Sequence, residues 1–221
     1  MRLIIFDCDG TLVDSQHTIV ERITAAFKGL RYTPPNPGAI RELIGLSLEE
    51  TVQRLLPGSD ALAVDRLVAA YQEQFIEHHR SEGSLEPLFP HADEVLRTLH
   101  SQGYLLGVAT GKSQPGLEAV LEDHKLRDIF STLQTADGHP GKPHPSMLHQ
   151  AMMETGVEAN DTLMLGDTSF DMAMAVNAGV HPVGVAWGYH CADALRAAGA
   201  RTVLGNYCDL LPCVEELWSD V

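Results

Sequence analysis

The chain has 221 residues, of which 44% are hydrophobic and 20% charged, and its formal net charge is −15 at pH 7. This balance is typical of a globular protein with one large domain, or with a core of about 150 residues that carries an insertion, and it excludes a disordered or fibrous protein. The negative charge argues against nucleic acid or an anionic membrane as a partner, because their phosphates would be repelled. No long apolar run and no secretion signal stands out, so we expect a cytoplasmic protein.

The first predicted strand covers residues 3–6 and ends directly before two carboxylates, Asp7 and Asp9. Side chains alternate along a strand, so these two aspartates face one side and Cys8 faces the other, where we expect it to pack in the core. Gly10 allows the sharp turn that must follow. The end of this strand therefore carries polar groups at a place where a buried strand would be expected to stay apolar.

The segment from residue 15 to residue 84 has a helical pattern and no convincing strand. Ser15 is expected to begin its first helix. Apolar residues repeat at helical spacing on three faces, formed by Ile19, Ile23, Ala26 and Phe27, by Leu48, Val52, Leu55 and Leu56, and by Leu62, Leu67, Ala70, Tyr71 and Phe75. The prolines of "YTPPNPG" predict a rigid loop at residues 32–38. We therefore predict a helical cap at 15–84, inserted into an α/β core made of residues 1–14 and 85–221.

After this insertion, strand-length apolar runs alternate with helix-length segments. The strands are predicted at residues 104–109, 132–135, 162–165, 182–186 and 202–204. The helices are predicted at residues 92–100, 116–121, 146–155 and 172–178. Such alternation predicts a doubly wound sheet of parallel strands, in which ligands bind beyond the carboxyl ends of the strands.

Polar residues recur at that edge of the predicted sheet. Thr110 and Gly111 stand in "VATGKS", Lys142 in "GKPHP", and Asp167 and Asp171 in "GDTSFD". With the two aspartates of the first strand, these residues bring four carboxylates, a hydroxyl and an ammonium group to one rim. A carboxylate and a phosphate dianion repel each other, so an attack of one on the other needs a metal ion or a cation.

In this order, "DCDGTLVDS", "VATGKS", the lysine of "GKPHP" and "GDTSFD" resemble the motifs of the haloacid dehalogenase-like hydrolases, and more narrowly their phosphoglycolate phosphatase-like branch. The helical insertion after the first motif resembles the small cap of that family, so the resemblance covers the whole chain. It implies a Mg²⁺-dependent phosphatase with a doubly wound α/β core and an all-helical cap.

The resemblance also implies roles for the aspartates. Asp7 would attack phosphorus and form an aspartyl-phosphate, while Asp9 would protonate the leaving oxygen and later deprotonate the hydrolytic water. Mg²⁺ would be held by Asp7, by the backbone carbonyl of Asp9 and by Asp167, with water molecules completing an octahedron.

The remaining motif residues are expected to handle the phosphate. The Thr110 hydroxyl and the Gly111 amide would hold its non-bridging oxygens, and Lys142 would pair with the nucleophile and with the phosphoryl group. Asp171 would orient Lys142 or a metal-bound water, or it would cap the following helix.

Several differences from relatives narrow the expected reaction. Asp9 favours a phosphatase over a dehalogenase, because a departing halide needs no acid. Lys28 in "AAFKGL" does not resemble the Schiff-base lysine of phosphonate-cleaving relatives, and "LIGLSLEE" lacks the arginine that follows the cap glycine in sugar-phosphate mutases. Substrate contacts are expected from Gly45 and Ser47 in this cap loop, together with the segment "AWGYH" at residues 186–190.

The predicted partner is a small phosphorylated metabolite, with 2-phosphoglycolate first, and the predicted assembly is a monomer or a homodimer. A sugar phosphate, pyrophosphate or a phosphomutase reaction remains an alternative within the family. Outside it, a phospho-accepting regulatory domain also uses clustered aspartates, a threonine and a lysine on a parallel sheet, and a catalytically silent binding protein remains a third possibility. The regulatory domains need no aspartate at position 9 and no cap, so both features argue against that class, whereas a silent binding protein would show no Mg²⁺-dependent turnover of phosphoesters.

Overall fold

The computed structural model of the protein describes residues 1–81 and 86–219, with the backbone alone for 75–81. Its six strands are β1 (Leu3–Phe6), β2 (Leu105–Thr110), β3 (Phe130–Thr135), β4 (Thr162–Gly166), β5 (His181–Val185) and β6 (Thr202–Leu204). They form one sheet in the order β3-β2-β1-β4-β5-β6, and every pairing is parallel. The predicted doubly wound α/β fold is confirmed.

Strand β1 is buried on both faces of the sheet. Ile4 and Phe6 pack with Cys8 in one apolar layer, whereas Leu3 and Ile5 pack in the layer on the opposite face. A strand that is covered by helices on both faces is expected to be apolar throughout, as this one is. The position of Cys8 in the first layer confirms that it packs in the core.

The central position of β1 determines where the polar residues meet. Phe6 pairs with Val108 of β2 on one side and with Leu165 of β4 on the other. The Asp7 N–H donates a hydrogen bond of 2.9 Å to the Leu165 carbonyl oxygen. The segments that follow these three strands therefore emerge side by side at the carboxyl rim.

In the described residues, the insertion after β1 contains four helices, α1 (Gln16–Gly29), α2 (Pro37–Arg41), α3 (Leu48–Leu55) and α4 (Ala61–Ser81). Their buried side chains form an apolar cluster separate from the two layers of the sheet, made of Ile23, Ala26, Phe27, Ile40, Val52, Val64 and Leu67. The predicted cap border at residues 84 and 85 lies outside the described residues, as does the side chain of Phe75, so the domain boundaries stay a prediction.

Two local expectations for this insertion differ from the structure. The rigid loop predicted at 32–38 ends early, because α2 begins at Pro37, where a proline has no N–H to lose, and Asn36 Oδ1 accepts the Gly38 N–H at 2.7 Å. Leu62 is 56% exposed and does not share the buried face, to which Val64 contributes together with the predicted Leu67.

The sheet is covered by α5 (Ala92–Ser101), α6 (Gln114–Asp123), α7 (Ser146–Thr155), α8 (Ser169–Ala178), α9 (Ala192–Ala197) and α10 (Leu210–Leu217). The first four correspond to the predicted helices, and the last two extend the fold beyond them. In the described parts of the chain, none of the helices combines the length and the apolar character that crossing a bilayer requires.

Candidate active site

Three carboxylates and one ammonium group meet at the rim of the sheet. Asp7 follows β1, Asp167 follows β4 and Asp171 lies in the first turn of α8. One carboxylate oxygen of each lies within 4.8 Å of the other two, and all three residues are fully buried. Lys142 Nζ lies 2.7 Å from Asp7 Oδ1 and 2.6 Å from Asp171 Oδ1. We call these four residues the inner cluster. The structure thus brings together four of the residues that the motifs place at one rim, whereas the Asp9 side chain is not among them.

Asp167 is held by groups on both sides of it. The Thr11 hydroxyl donates to Asp167 Oδ1 and the Tyr189 N–H donates to Oδ2, each at 2.9 Å. Gly10 has a φ of +86°, and a Cβ at that position would collide with the Asp167 carboxylate. The glycine therefore serves two purposes, since it permits the turn after β1 and leaves room for an aspartate from the neighbouring strand.

Asp171 both caps helix α8 and pairs with Lys142. It is the third residue of α8, where Thr168 and Asp171 form a capping box: the Thr168 hydroxyl accepts the Asp171 N–H at 3.3 Å, and the Thr168 N–H donates to Asp171 Oδ2 at 3.0 Å. Its other oxygen, Oδ1, pairs with Lys142. The helix cap thus fixes the carboxylate that orients the lysine.

The inner cluster is electrostatically unbalanced. Burial raises the pKa of the Asp7 carboxyl to about 7 against the opposing effect of Lys142, and burial together with Asp171 and Asp7 raises the pKa of Asp167 well above its usual value. Burial alone would lower the pKa of Lys142, but Asp171 and Asp7 raise it above its usual value, so the ammonium stays charged. In this cluster a single ammonium group therefore faces three carboxyl groups, and all four side chains are buried.

The residues of the inner cluster fit a hard divalent cation. Asp7 Oδ1 accepts the Cys8 N–H at 2.7 Å and pairs with Lys142, whereas Asp7 Oδ2 is buried without a hydrogen-bond partner among the described residues. A buried carboxylate oxygen without a partner is costly, and Mg²⁺ prefers oxygen ligands of this kind. The Asp9 side chain is not part of this group of oxygens, and the assignment of its backbone carbonyl to the metal stays a prediction.

A second set of charges begins at Asp9. Asp9 Oδ1 accepts the Ser15 hydroxyl at 2.6 Å and lies 2.9 Å from Lys112 Nζ. The same ammonium lies 3.1 Å from Glu86 Oε2, and Glu86 Oε1 lies 3.8 Å from Arg22 Nη1 of α1. Burial alone would lower the pKa of Lys112, but Asp9 and Glu86 raise it well above its usual value. We call Asp9, Lys112, Glu86 and Arg22 the outer chain.

The predicted phosphate loop follows β2. Thr110 is buried, and its hydroxyl oxygen accepts the Lys112 N–H at 3.2 Å. A Cβ at Gly111 would collide with the backbone of Gly45 and Leu46 in the loop before α3. The cap loop therefore rests on the phosphate loop by backbone contact, and only a glycine at position 111 allows this approach.

A cavity of about 890 Å³ lies between the helical insertion and the rim. Four of the predicted site residues line it, namely Asp9, Gly45, Ser47 and Gly111. The other five are buried and are not among its lining residues, namely Asp7, Thr110, Lys142, Asp167 and Asp171. The Ser47 hydroxyl also caps α3, where it accepts the Glu50 N–H at 3.3 Å.

The second predicted substrate segment, residues 186–190, is not among the described residues that line the cavity. Two of its donors bind within the protein: the Trp187 indole N–H donates to the Thr11 carbonyl oxygen at 3.2 Å, and the Tyr189 N–H donates to Asp167 Oδ2 at 2.9 Å. His190 Nδ1 accepts the Ser169 N–H at 3.0 Å. This segment therefore helps to position Asp167 of the inner cluster and the start of α8.

Several residues that shape the site had no assigned role in the sequence. Thr11 and Ser15 stand inside the first motif and Lys112 inside the second, so their place in the motifs is the sequence signal for them. Ser15 was expected only to begin a helix; it precedes α1 but makes no side-chain cap bond, because its hydroxyl bonds to Asp9. Glu86 stands in no motif, and no local pattern indicates its contact with Lys112.

A parallel sheet with an acidic cluster at its carboxyl rim, covered by a helical insertion after the first strand, defines the class of capped α/β hydrolases. The family model of haloacid dehalogenase-like hydrolases matches residues 4–185, and the chain belongs to this family. The motifs and the site therefore agree with the family that the sequence resembles.

The relatives cover almost the whole chain. The protein named "Probable phosphatase IndB" of Dickeya dadantii is 37% identical over 97% of this chain and 94% of its own length. The phosphoglycolate phosphatase of Vibrio parahaemolyticus is 29% identical over 97% of this chain and 96% of its own length. Among solved structures, a hydrolase from Pseudomonas syringae superimposes with a TM-score of 0.85 at 25% identity, over 98% of this chain and 99% of that one.

Proposed function

We propose that the protein is a Mg²⁺-dependent phosphatase that hydrolyses a small phosphomonoester through an aspartyl-phosphate at Asp7. The observation that carries the proposal is the separation of two neighbouring aspartates. Asp7 is fully buried in the inner cluster beside Lys142, whereas Asp9 lies apart and borders the cavity. This chemistry requires one carboxylate as a nucleophile and a separate one as an acid/base, and the different surroundings of Asp7 and Asp9 fit these two roles.

The proposed reaction has two steps. In the first, an Asp7 carboxylate oxygen bonds to phosphorus as the bond between phosphorus and the leaving oxygen breaks. The leaving oxygen keeps the electron pair of that bond and takes a proton from Asp9. In the second, water gives a proton to Asp9 and bonds to phosphorus, the bond from phosphorus to Asp7 breaks, and inorganic phosphate is released. Asp9 therefore returns to its protonated state once in each cycle.

The other residues would stabilise charge. Lys142 would pair with the phosphoryl group next to Asp7, and the Thr110 hydroxyl and the Gly111 amide would hold its non-bridging oxygens. A Mg²⁺ ion held by Asp7 and Asp167 would neutralise the repulsion between the nucleophile and the phosphate dianion. The cap loop over Gly111 would exclude bulk water from the acyl-phosphate.

The first substrate that we propose is 2-phosphoglycolate, which is supported by the name of the Vibrio relative. The size of the cavity favours a second candidate, a sugar phosphate. Cavities of roughly 300–1,000 Å³ accommodate ligands much larger than a two-carbon acid. At about 890 Å³, the cavity of this protein leaves room for a larger leaving group.

A phosphate-release screen tests the proposal directly. The purified protein is assayed with Mg²⁺ against about a hundred small phosphoesters, which are ranked by kcat/KM because specificity is a ratio of those values. We expect turnover that a chelator abolishes and Mg²⁺ restores. Turnover that survives chelation would contradict the metal requirement, and stable phosphorylation of Asp7 without phosphate release would assign the protein to the phospho-accepting regulatory domains.

A further inference from the structure

Lys112 makes contacts that the proposed reaction does not yet use. Its side chain is 10% exposed, and its Nζ lies between Asp9 Oδ1 at 2.9 Å and Glu86 Oε2 at 3.1 Å. Lys112 follows Gly111 directly, so it extends from the phosphate loop toward the acid/base. A lysine that is placed between two carboxylates and largely removed from water has a fixed position.

These contacts make the two oxygens of Asp9 different. Oδ1 has two donors, the Lys112 ammonium and the Ser15 hydroxyl at 2.6 Å. No hydrogen bond or ion pair of the described residues reaches Oδ2, and Asp9 borders the cavity. Rotation of the carboxylate would break both contacts of Oδ1. Oδ2 is therefore the oxygen left to face a leaving group.

Glu86 holds the Lys112 ammonium in place through an ion pair. Its side chain is 6% exposed, and its other oxygen faces Arg22 of α1 at 3.8 Å. A buried ion pair adds little net stability, because removing its charges from water offsets their attraction, but its contacts still restrict where the charged groups can lie. The outer chain thus holds the Lys112 ammonium at one place beside Asp9.

We propose that Lys112 is a positioning residue, which holds Asp9 so that Oδ2 exchanges protons with the leaving oxygen and with the hydrolytic water. The inference rests on the proposed phosphatase function. Lys112 itself forms and breaks no bond. Lys112 could instead bind an anionic group of the substrate. A comparison of leaving groups distinguishes these two roles.

The experiment compares leaving groups in Lys112→Met, which keeps the length of the side chain but removes the ammonium. An alkoxide leaves poorly without a proton, whereas p-nitrophenolate leaves readily without one. We expect kcat/KM for a small alkyl phosphate to fall roughly 100-fold and kcat/KM for p-nitrophenyl phosphate to stay within about fivefold of the wild type. For the aryl ester, kcat and KM should fall together, because hydrolysis of the aspartyl-phosphate still needs Asp9.

Three further variants keep the test decisive. Lys112→Arg retains a charged donor and should restore most of the lost activity on the alkyl ester. Ser15→Ala removes the other donor to Oδ1 and should give the same selectivity for leaving groups, with a smaller loss. Lys28→Met changes an exposed lysine of α1 and should behave as the wild type. If Lys112→Met does not fold, Lys112→Arg and Ser15→Ala decide the matter.

Two outcomes would overturn the inference. Equal losses for the alkyl and aryl esters would mean that Lys112 does not act through proton transfer. A loss confined to 2-phosphoglycolate, with 2-hydroxyethyl phosphate unaffected, would mean that Lys112 binds the anionic part of the substrate. A wild-type protein that releases phosphate from no ester would contradict the proposed function itself, which is a separate result.

Discussion

The inner cluster and the outer chain are built from the same kinds of side chain, but their charges differ. The inner cluster has three carboxyl groups and one ammonium, whereas the outer chain has two carboxylates and two cations. A buried excess of carboxyl groups favours a further cation, while a balanced set requires none. The difference between them indicates which region would receive a metal ion and a phosphoryl group, and which region controls geometry.

Removal of the nucleophile is the strongest test of this contrast. We expect Asp7→Asn to lower kcat by at least about 1,000-fold on every substrate, because no covalent intermediate can form. The same change removes one buried carboxyl from the inner cluster and should raise the melting temperature of the metal-free protein. Both are measured on one preparation, by phosphate release and by thermal unfolding. Substantial residual turnover would mean that the nucleophile is elsewhere.

Asp9→Asn should affect proton transfer and leave metal binding intact. We expect kcat/KM for alkyl phosphates to fall roughly 10²- to 10⁴-fold and the aspartyl-phosphate to persist longer. The stabilisation of the fold by Mg²⁺ should match the wild type, since the Asp9 side chain is outside the inner cluster. Unchanged single-turnover kinetics would contradict the acid/base role.

The pH dependence of stability should reveal the charge excess of the inner cluster. The pKa of Asp7 is raised to about 7, so the folded protein binds more protons than the unfolded chain between about pH 4 and pH 7. Stability of the metal-free protein should therefore fall as pH rises through this window, by about 2 kcal/mol between pH 5 and pH 7 from this group. Mg²⁺ should stabilise the fold more at pH 8 than at pH 5.

Thermal unfolding with Mg²⁺ and with a chelator, at several pH values, checks this dependence, and Asp7→Asn is the matched control. The decrease of stability between pH 5 and pH 7 should be smaller in the variant than in the wild type. The same Mg²⁺ increment at every pH would argue that the cation does not compete with protons at these carboxylates.

Disruption of the outer chain should have a moderate effect on stability. Glu86→Gln keeps the shape of the side chain but leaves two cations facing a neutral group, and we expect a loss of about 1–3 kcal/mol in the free energy of unfolding. The control is Asp93→Asn, which disrupts the exposed ion pair between Asp93 and Arg97, with an N–O distance of 2.8 Å. We expect this variant to lose less than about 0.5 kcal/mol in the free energy of unfolding. Similar losses for both would show that burial adds nothing to the outer chain.

The inner cluster could be predicted from the sequence because it follows from one rule about parallel sheets. Asp7 and Asp167 follow strands that are recognisable as short apolar runs, and the carboxyl ends of such strands meet at one rim. The limits of β1 and β6 were also predicted residue by residue, since polar or turn-forming residues bound them on both sides.

The outer chain could not be predicted in this way because its contacts are not local. Glu86 meets Lys112 only after the chain has passed through the helical insertion, and no periodicity or motif connects the two positions. Ser15 shows the same limit, because its local preference for a helix start concealed a tertiary bond to Asp9. Residues 186–190 looked suited to a ligand, but the donors of Trp187 and Tyr189 are used by Thr11 and Asp167.

The backbone contact at Gly111 limits how this enzyme could be re-engineered. Leu46 and Gly45 lie directly over a position that has no space for a side chain. A chimera that exchanged the helical segment for that of another family member would need a compatible residue at position 111, even though that residue is far away in the chain. Cap loop and phosphate loop therefore form a single module for design, and a library that varies residues 43–47 should vary position 111 with them.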